Sequence, residues 1–190
     1  MPDTPEVIRR RMTEDDLRAR FEATIEQRVD RYREISHQPM TSFQHFADAS
    51  AECVSLYTDG YFLSTVMVTQ AVAEAIRRFV VERNGTKLSN KSDGPSVVTL
   101  LVENGIISED CAVAFNRIWG SFRNDVHHMN PKVAQIDFPA LAKGNIQDLA
   151  VIEREIFDFK VDKGKIIPTN PQYWDAGADG KMGVFLRLSP

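Results

Sequence analysis

The 190-residue chain predicts an all-α fold with an irregular or partly β C-terminal extension. Three observations carry this. Apolar residues recur at three- and four-residue spacing through most of the chain up to Lys160. Capping residues precede several of these runs, and Asn-Gly pairs follow two of them. From Asp162 onward, Gly164, Pro168, Pro171, Gly177, Gly180 and Gly183 leave no room for a helix.

Residues 1–12 read as a polar arm or first helical turn, with a basic run Arg9-Arg10-Arg11. Thr13 with Asp16 three residues on predicts an N-cap, and Leu17, Phe21, Ile25 and Tyr32 predict a helix over about 14–36, closed by His37-Gln38-Pro39. A second helix is predicted from Ser42 to Tyr57, its stripe formed by Phe43, Phe46, Ser50, Cys53 and Leu56, with His45 at the boundary and Thr58-Asp59-Gly60 as a turn. The third, from Tyr61 to Arg83, is densest in Val, Ala, Phe and Met and stops at Asn84-Gly85. After a polar loop over 86–94, Pro95 opens a short helix that Asn104-Gly105 closes. Ser108-Glu109-Asp110 caps a fifth helix that runs on to Asn130-Pro131. A sixth spans roughly 139–159, with Leu149, Ile152, Ile156 and Phe159 on one face, and Val184–Leu188 reads as a single strand. The expected organisation is an N-terminal arm and helix over 1–41, a helical core over 42–160 and a C-terminal extension over 161–190.

Composition narrows the function. Hydrophobic residues make up 43% and charged residues 26% of the chain, as in a soluble globular protein. A net charge of −4 argues against a general nucleic-acid coat, which relies on many Lys and Arg contacts to phosphate. Cys53 and Cys111 lack CxxC spacing and read as buried thiols in a reducing compartment. No secretory signal is visible at the N-terminus, and Gln70, Glu74, Arg77 and Arg78 interrupt the most apolar run, so a cytoplasmic protein with no membrane partner is expected.

Chemistry concentrates in Ser121-Phe122-Arg123-Asn124-Asp125-Val126-His127-His128. On one continuous helix at about 100° per residue, Phe115, Ile118, Phe122 and Val126 form the buried stripe, and Arg123, His127, Asn124 and His128 share an outward arc centred near Gly120. Arginine offers a planar fork of donors to a phosphate, and histidine exchanges protons near neutral pH. RNA brings its own nucleophile, the 2′-hydroxyl, so an arginine and a histidine suffice for cleavage without metal. A glycine in mid-helix costs about 1 kcal/mol relative to alanine, which points to a close approach at Gly120 by another backbone or a ligand, and to a cleft whose other wall is a second copy of the chain, with Asn116 and Gly120 at that interface. The alternative is a solvated polar face. His127 and His128 diverge by about 100° and lack an acid at ligand spacing, so neither a metal nor a cofactor is expected.

Arg123-Asn124-Asp125-Val126-His127-His128 resembles the arginine-polar-x-x-x-histidine hallmark of the HEPN superfamily, and the order of helices over 42–160 is similar to the HEPN core. The resemblance implies an up-and-down helical bundle that dimerises with motif helices face to face. It also implies metal-independent endoribonuclease activity in toxin–antitoxin or anti-phage systems, with an antitoxin or defence-system protein as a further partner. On it, Arg123 contacts the scissile phosphate, Asn124 supports the site, His128 is the general base or acid and His127 a second candidate. Arg77, Arg78 and Arg117 would bind the RNA strand, and Glu74-Ala75-Ile76-Arg77-Arg78 is loosely similar to an acidic-to-basic pattern on an earlier helix. Two alternatives remain: a non-catalytic HEPN module that binds a nucleotide, RNA or protein partner, and a structural or regulatory helical dimer.

Overall fold

The computed structural model describes residues 4–87, 93–177 and 181–187. The chain is mostly helical, with a few short strands, so the all-α expectation with a short β extension holds. Helix α1 spans Pro5–Arg33. It is followed by strand β1 (Met40–Ser42), then α2 (Ala47–Asp59), α3 (Phe62–Arg83), α4 (Gly94–Glu103), α5 (Glu109–Gly120), α6 (Arg123–His127) and α7 (Phe138–Ile156). Strands β2 (Phe159–Asp162), β3 (Lys165–Pro168) and β4 (Val184–Leu186) complete the chain.

The core is built around α3, which packs on α7, α2 and α5, while α7 also packs on α5. Val66, Ile76 and Val80 of α3 meet Leu101, Cys111, Ile118, Ile146 and Ile152 in one buried cluster. The caps are the ones the residue types dictate. Asp93 accepts from Ser96 N at 2.9 Å, Ser108 from Cys111 N at 3.1 Å and Asp137 from Ala140 N at 3.1 Å. Gly60 closes α2 in the left-handed conformation at φ 86°, where a side chain would be strained.

Several expectations need correction. The first helix starts not at Thr13 but at Thr4, whose hydroxyl caps Val7 N with Pro5 in the first turn; Thr13 instead bonds back to the Arg9 carbonyl at 3.0 Å. Residues 42–46 are not helical, because Met40–Ser42 pairs antiparallel with Val184–Leu186, and Phe43 is 63% exposed rather than in a core stripe. Leu188 lies outside the described residues, as do Pro2, Gly180 and most of the 86–94 loop.

The C-terminal extension also contains the hairpin β2–β3, which turns on Lys163 and Gly164 at φ 49° and 75°. Its later residues reach the core: Tyr173 and Trp174 join the buried cluster. Arg187 grips Glu153 of α7 through two guanidinium nitrogens and also donates to Ser50 Oγ at 2.6 Å and Gln38 O at 3.1 Å. Both members of this ion pair are nearly sealed from solvent, with 3% of each side chain exposed.

Candidate functional site

The expected continuous motif helix does not form. α5 ends at Gly120, and the chain turns through Ser121 and Phe122 before α6 begins. The break is fixed from inside. Gln70 on α3 donates to both the carbonyl and the hydroxyl oxygen of Ser121 at 2.8 Å, and Asn145 on α7 donates to the same hydroxyl at 3.3 Å and to Thr69 Oγ1 at 3.1 Å. Ser121, Gln70 and Asn145 are all buried. A buried polar network of this kind is stable only when its members are satisfied, and here the amides of two helices meet the unpaired end of a third.

The break rearranges the side chains. Val126 remains fully buried, but Phe122, expected in the same stripe, is 49% exposed and sits at φ 55°. The single helical wheel therefore fails after Gly120. Nothing lies within 4 Å of a Cβ added at Gly120, which ends α5 instead of interrupting a helix. Within the chain, a close approach occurs at Gly94, where a Cβ would stand 2.5 Å from the Trp119 ring.

Trp119 supports the motif arginine. The Arg123 guanidinium carbon lies 4.5 Å from the centroid of the Trp119 ring, and that of Arg77 lies at 5.9 Å. Arg123 also donates to Glu74 Oε2 at 2.5 Å, while Arg78 takes the other carboxylate oxygen. Burial raises the Glu74 carboxyl, but the two arginines outweigh it and hold it below its ordinary range. One carboxylate between two guanidiniums leaves the cluster with a net positive charge.

His127 pairs with Gln70, its Nε2 lying 3.1 Å from Gln70 Oε1. The Ser121 carbonyl can only accept, so the Gln70 nitrogen must face it and the Gln70 oxygen must face the imidazole. His127 Nε2 therefore carries a proton, and in the neutral ring Nδ1 is the basic nitrogen. Gln70 and Glu74, one turn apart on α3, thus hold His127 and Arg123, one turn apart on α6, with the two helices running in opposite senses.

Two open cavities meet at this pair. One, of about 850 Å³, follows α3 from Gln70 to Arg83 and is lined also by Gln44, His45, Arg123 and His127. The other, of about 680 Å³, is lined by Trp119, Gly120, Phe122, Asn124, Asp125 and His128, again with Arg123 and His127. Comparison with models of known families, with curated proteins and with solved structures finds no match for this chain.

The four motif residues are thus gathered at one place: Arg123 and His127 border both cavities, Asn124 and His128 the second alone. Of the three arginines expected to hold a strand, only Arg78 borders the larger cavity. Arg77 is 9% exposed and lines a narrow crevice with Asn116 and Trp119, and burial lowers its guanidinium pKa. Arg117 lies 3.4 Å from Asp148 on α7 and borders neither cavity. Asn116 and Gly120 are exposed. Sequence reasoning missed Gln70 and Trp119 as site residues and gave Glu74 only a loose role. The available signal was the polarity of Gln70 and Glu74, one turn apart on a helix rich in Val and Ala. Among the described residues, no three His, Cys, Asp or Glu side chains converge as a metal set, and no helix is long and apolar enough to cross a membrane.

Proposed function

We propose that this chain is a HEPN-type endoribonuclease that cuts single-stranded RNA through its own 2′-hydroxyl without a metal, in a toxin or anti-phage setting. The observation that carries this reading is Arg123, held on Trp119 by Glu74 at the junction of two cavities with both histidines beside it. A guanidinium has five N–H donors, and Glu74 occupies its edge without exhausting them. The remaining donors suit a phosphate, and Glu74 fixes the fork in advance, so no reorganisation is needed as charge develops.

The 2′-oxygen attacks the adjacent phosphorus while the bond from phosphorus to the 5′-oxygen breaks. One imidazole takes the 2′-hydroxyl proton, and an imidazolium returns a proton to the leaving 5′-oxygen. The products are a 2′,3′-cyclic phosphate and a 5′-hydroxyl. His128 fills the position of the family histidine. His127, with its Nε2 proton committed to Gln70, offers Nδ1. A second copy across the smaller cavity would supply the opposite wall, and a protein antitoxin is the expected inhibitor.

A second reading is a non-catalytic module of the same fold that holds RNA, a nucleotide or a protein. The ion pair between Arg123 and Glu74 favours it, because a phosphate must compete with a carboxylate already in place.

The test is cleavage of single-stranded RNA in excess chelator, with product ends identified by mass. The wild type yields cyclic phosphate ends. Arg123→Ala slows cleavage by about 10²–10³-fold, and His127→Ala and His128→Ala, compared separately, identify the proton carrier. Full activity in all three variants sinks the nuclease reading. RNA binding without turnover favours the second.

A further inference from the structure

We propose that Phe122 is a stacking platform for one unpaired nucleobase, next to the phosphate that Arg123 holds. The inference rests on the RNA reading above and deepens it by stating which part of the substrate the smaller cavity takes.

A bulky aromatic residue rarely occupies the left-handed region, and where it does, surrounding structure must over-determine it. Phe122 has φ 55° and ψ 29°. The surrounding structure responsible is the buried anchorage of Ser121 by Gln70 and Asn145, which sets the chain direction one residue earlier. That anchorage explains the backbone but not the side chain. Phe122 makes no ring contact among the described residues and leaves about half its surface in water. Glycine would adopt this backbone without strain, so the backbone itself gives no reason for a phenyl ring half exposed to water.

The surroundings suit a base. Trp119 and Phe122 give the cavity its aromatic surface, and Asn124 adds an amide that can both donate to and accept from a base edge. Arg123 belongs to the same cavity, so a base on Phe122 and a phosphate on Arg123 can come from adjacent parts of one strand. Stacking on an exposed aromatic needs a base free of its pairing partner, which selects single-stranded RNA over duplex. Because every base has a π-face, the platform favours unpaired nucleotides without strict choice among them.

The experiment uses the full chain and a 2′-O-methyl hexanucleotide with a central 2-aminopurine, which cannot be cut through its 2′-oxygen. We expect the wild type to bind it and quench its fluorescence. Phe122→Ala weakens binding by about 5- to 150-fold, and Phe122→Trp restores it. Phe122→Gly weakens binding as much as alanine does while raising Tm, since it relieves the left-handed strain. A side chain retained for stability would give the opposite Tm change and overturn the proposal. Equal binding by wild type and Phe122→Ala also overturns it. If unmodified RNA is cut normally but 2-aminopurine is never quenched, the platform falls and the nuclease reading stands. If binding depends on Phe122 but no RNA is cut, the platform stands and the nuclease reading falls. If Phe122→Ala instead converts a dimer to a monomer with binding unchanged, the ring belongs to a contact between copies and the proposal is overturned.

Discussion

Gln70 is the residue whose loss should be felt furthest. It bridges a buried carbonyl, a buried hydroxyl and the His127 ring. Gln70→Leu leaves the Ser121 carbonyl unpaired, and the expected cost is about 1–3 kcal/mol of stability, read by denaturant unfolding. Nitrogen NMR of the imidazole should find the proton on Nε2 in the wild type and a mixed tautomer in the variant. An unchanged tautomer ratio would remove Gln70 from the site. Glu74 has its own test. Its folded pKa is lowered, so the stability it contributes is present above the ordinary glutamate value and is lost as pH falls through the folded one. A carboxyl titration by NMR should place its midpoint below the ordinary glutamate value. A midpoint at or above that value contradicts the double arginine clamp.

Elements explain why some of this was legible in advance and some was not. The helix over Tyr61–Arg83 was readable because its apolar residues and its Asn84-Gly85 stop act locally, and the structure moves its start by a single residue. The gathering of Arg123, Asn124, His127 and His128 was readable because they are close in sequence. The break at Ser121 was not. It depends on Gln70 and Asn145, which approach from α3 and α7, and no local signal in Gly-Ser-Phe outweighs the helical spacing of Ile118, Phe122 and Val126. Strand β1 was hidden for the same reason, because its partner is β4 at the far end of the chain. The clamp on β4 yields a prediction at this scale. Glu153→Ala strands the buried Arg187 guanidinium and should cost about 3–5 kcal/mol, measured by thermal unfolding. A loss below about 1 kcal/mol would mean that the pair is solvated.

At the scale of the whole molecule, burial is unevenly distributed. No residue of α1 is buried, and residues 4–20 are all exposed. The helix meets the rest of the chain near its C-terminal end, where Arg28 pairs with Asp59 at 2.9 Å and Arg31 donates to the Thr58 carbonyl at 2.7 Å. Its own turns are laced by ion pairs such as Arg10 with Glu14 and Arg20 with Asp16, each a minor contribution. Removing residues 1–20 should therefore change the unfolding free energy by no more than ~0.5 kcal/mol, checked by denaturant titration of the shortened chain. A larger loss would show that this rod is covered in solution. The opposite end of the chain behaves differently, since Tyr173, Trp174 and Arg187 lie within the same core as α3 and α7.

The matched spacing of α3 and α6 works as a vernier with one reading. Slide α6 by a turn in one sense and Arg123 meets the cation Arg78 while His127 takes Glu74; slide it in the other and Arg123 meets an uncharged amide while His127 faces Val66, which is wholly buried. Neither misreading satisfies both partners, so two ordinary side-chain pairs set the position of a five-residue helix too short to hold itself.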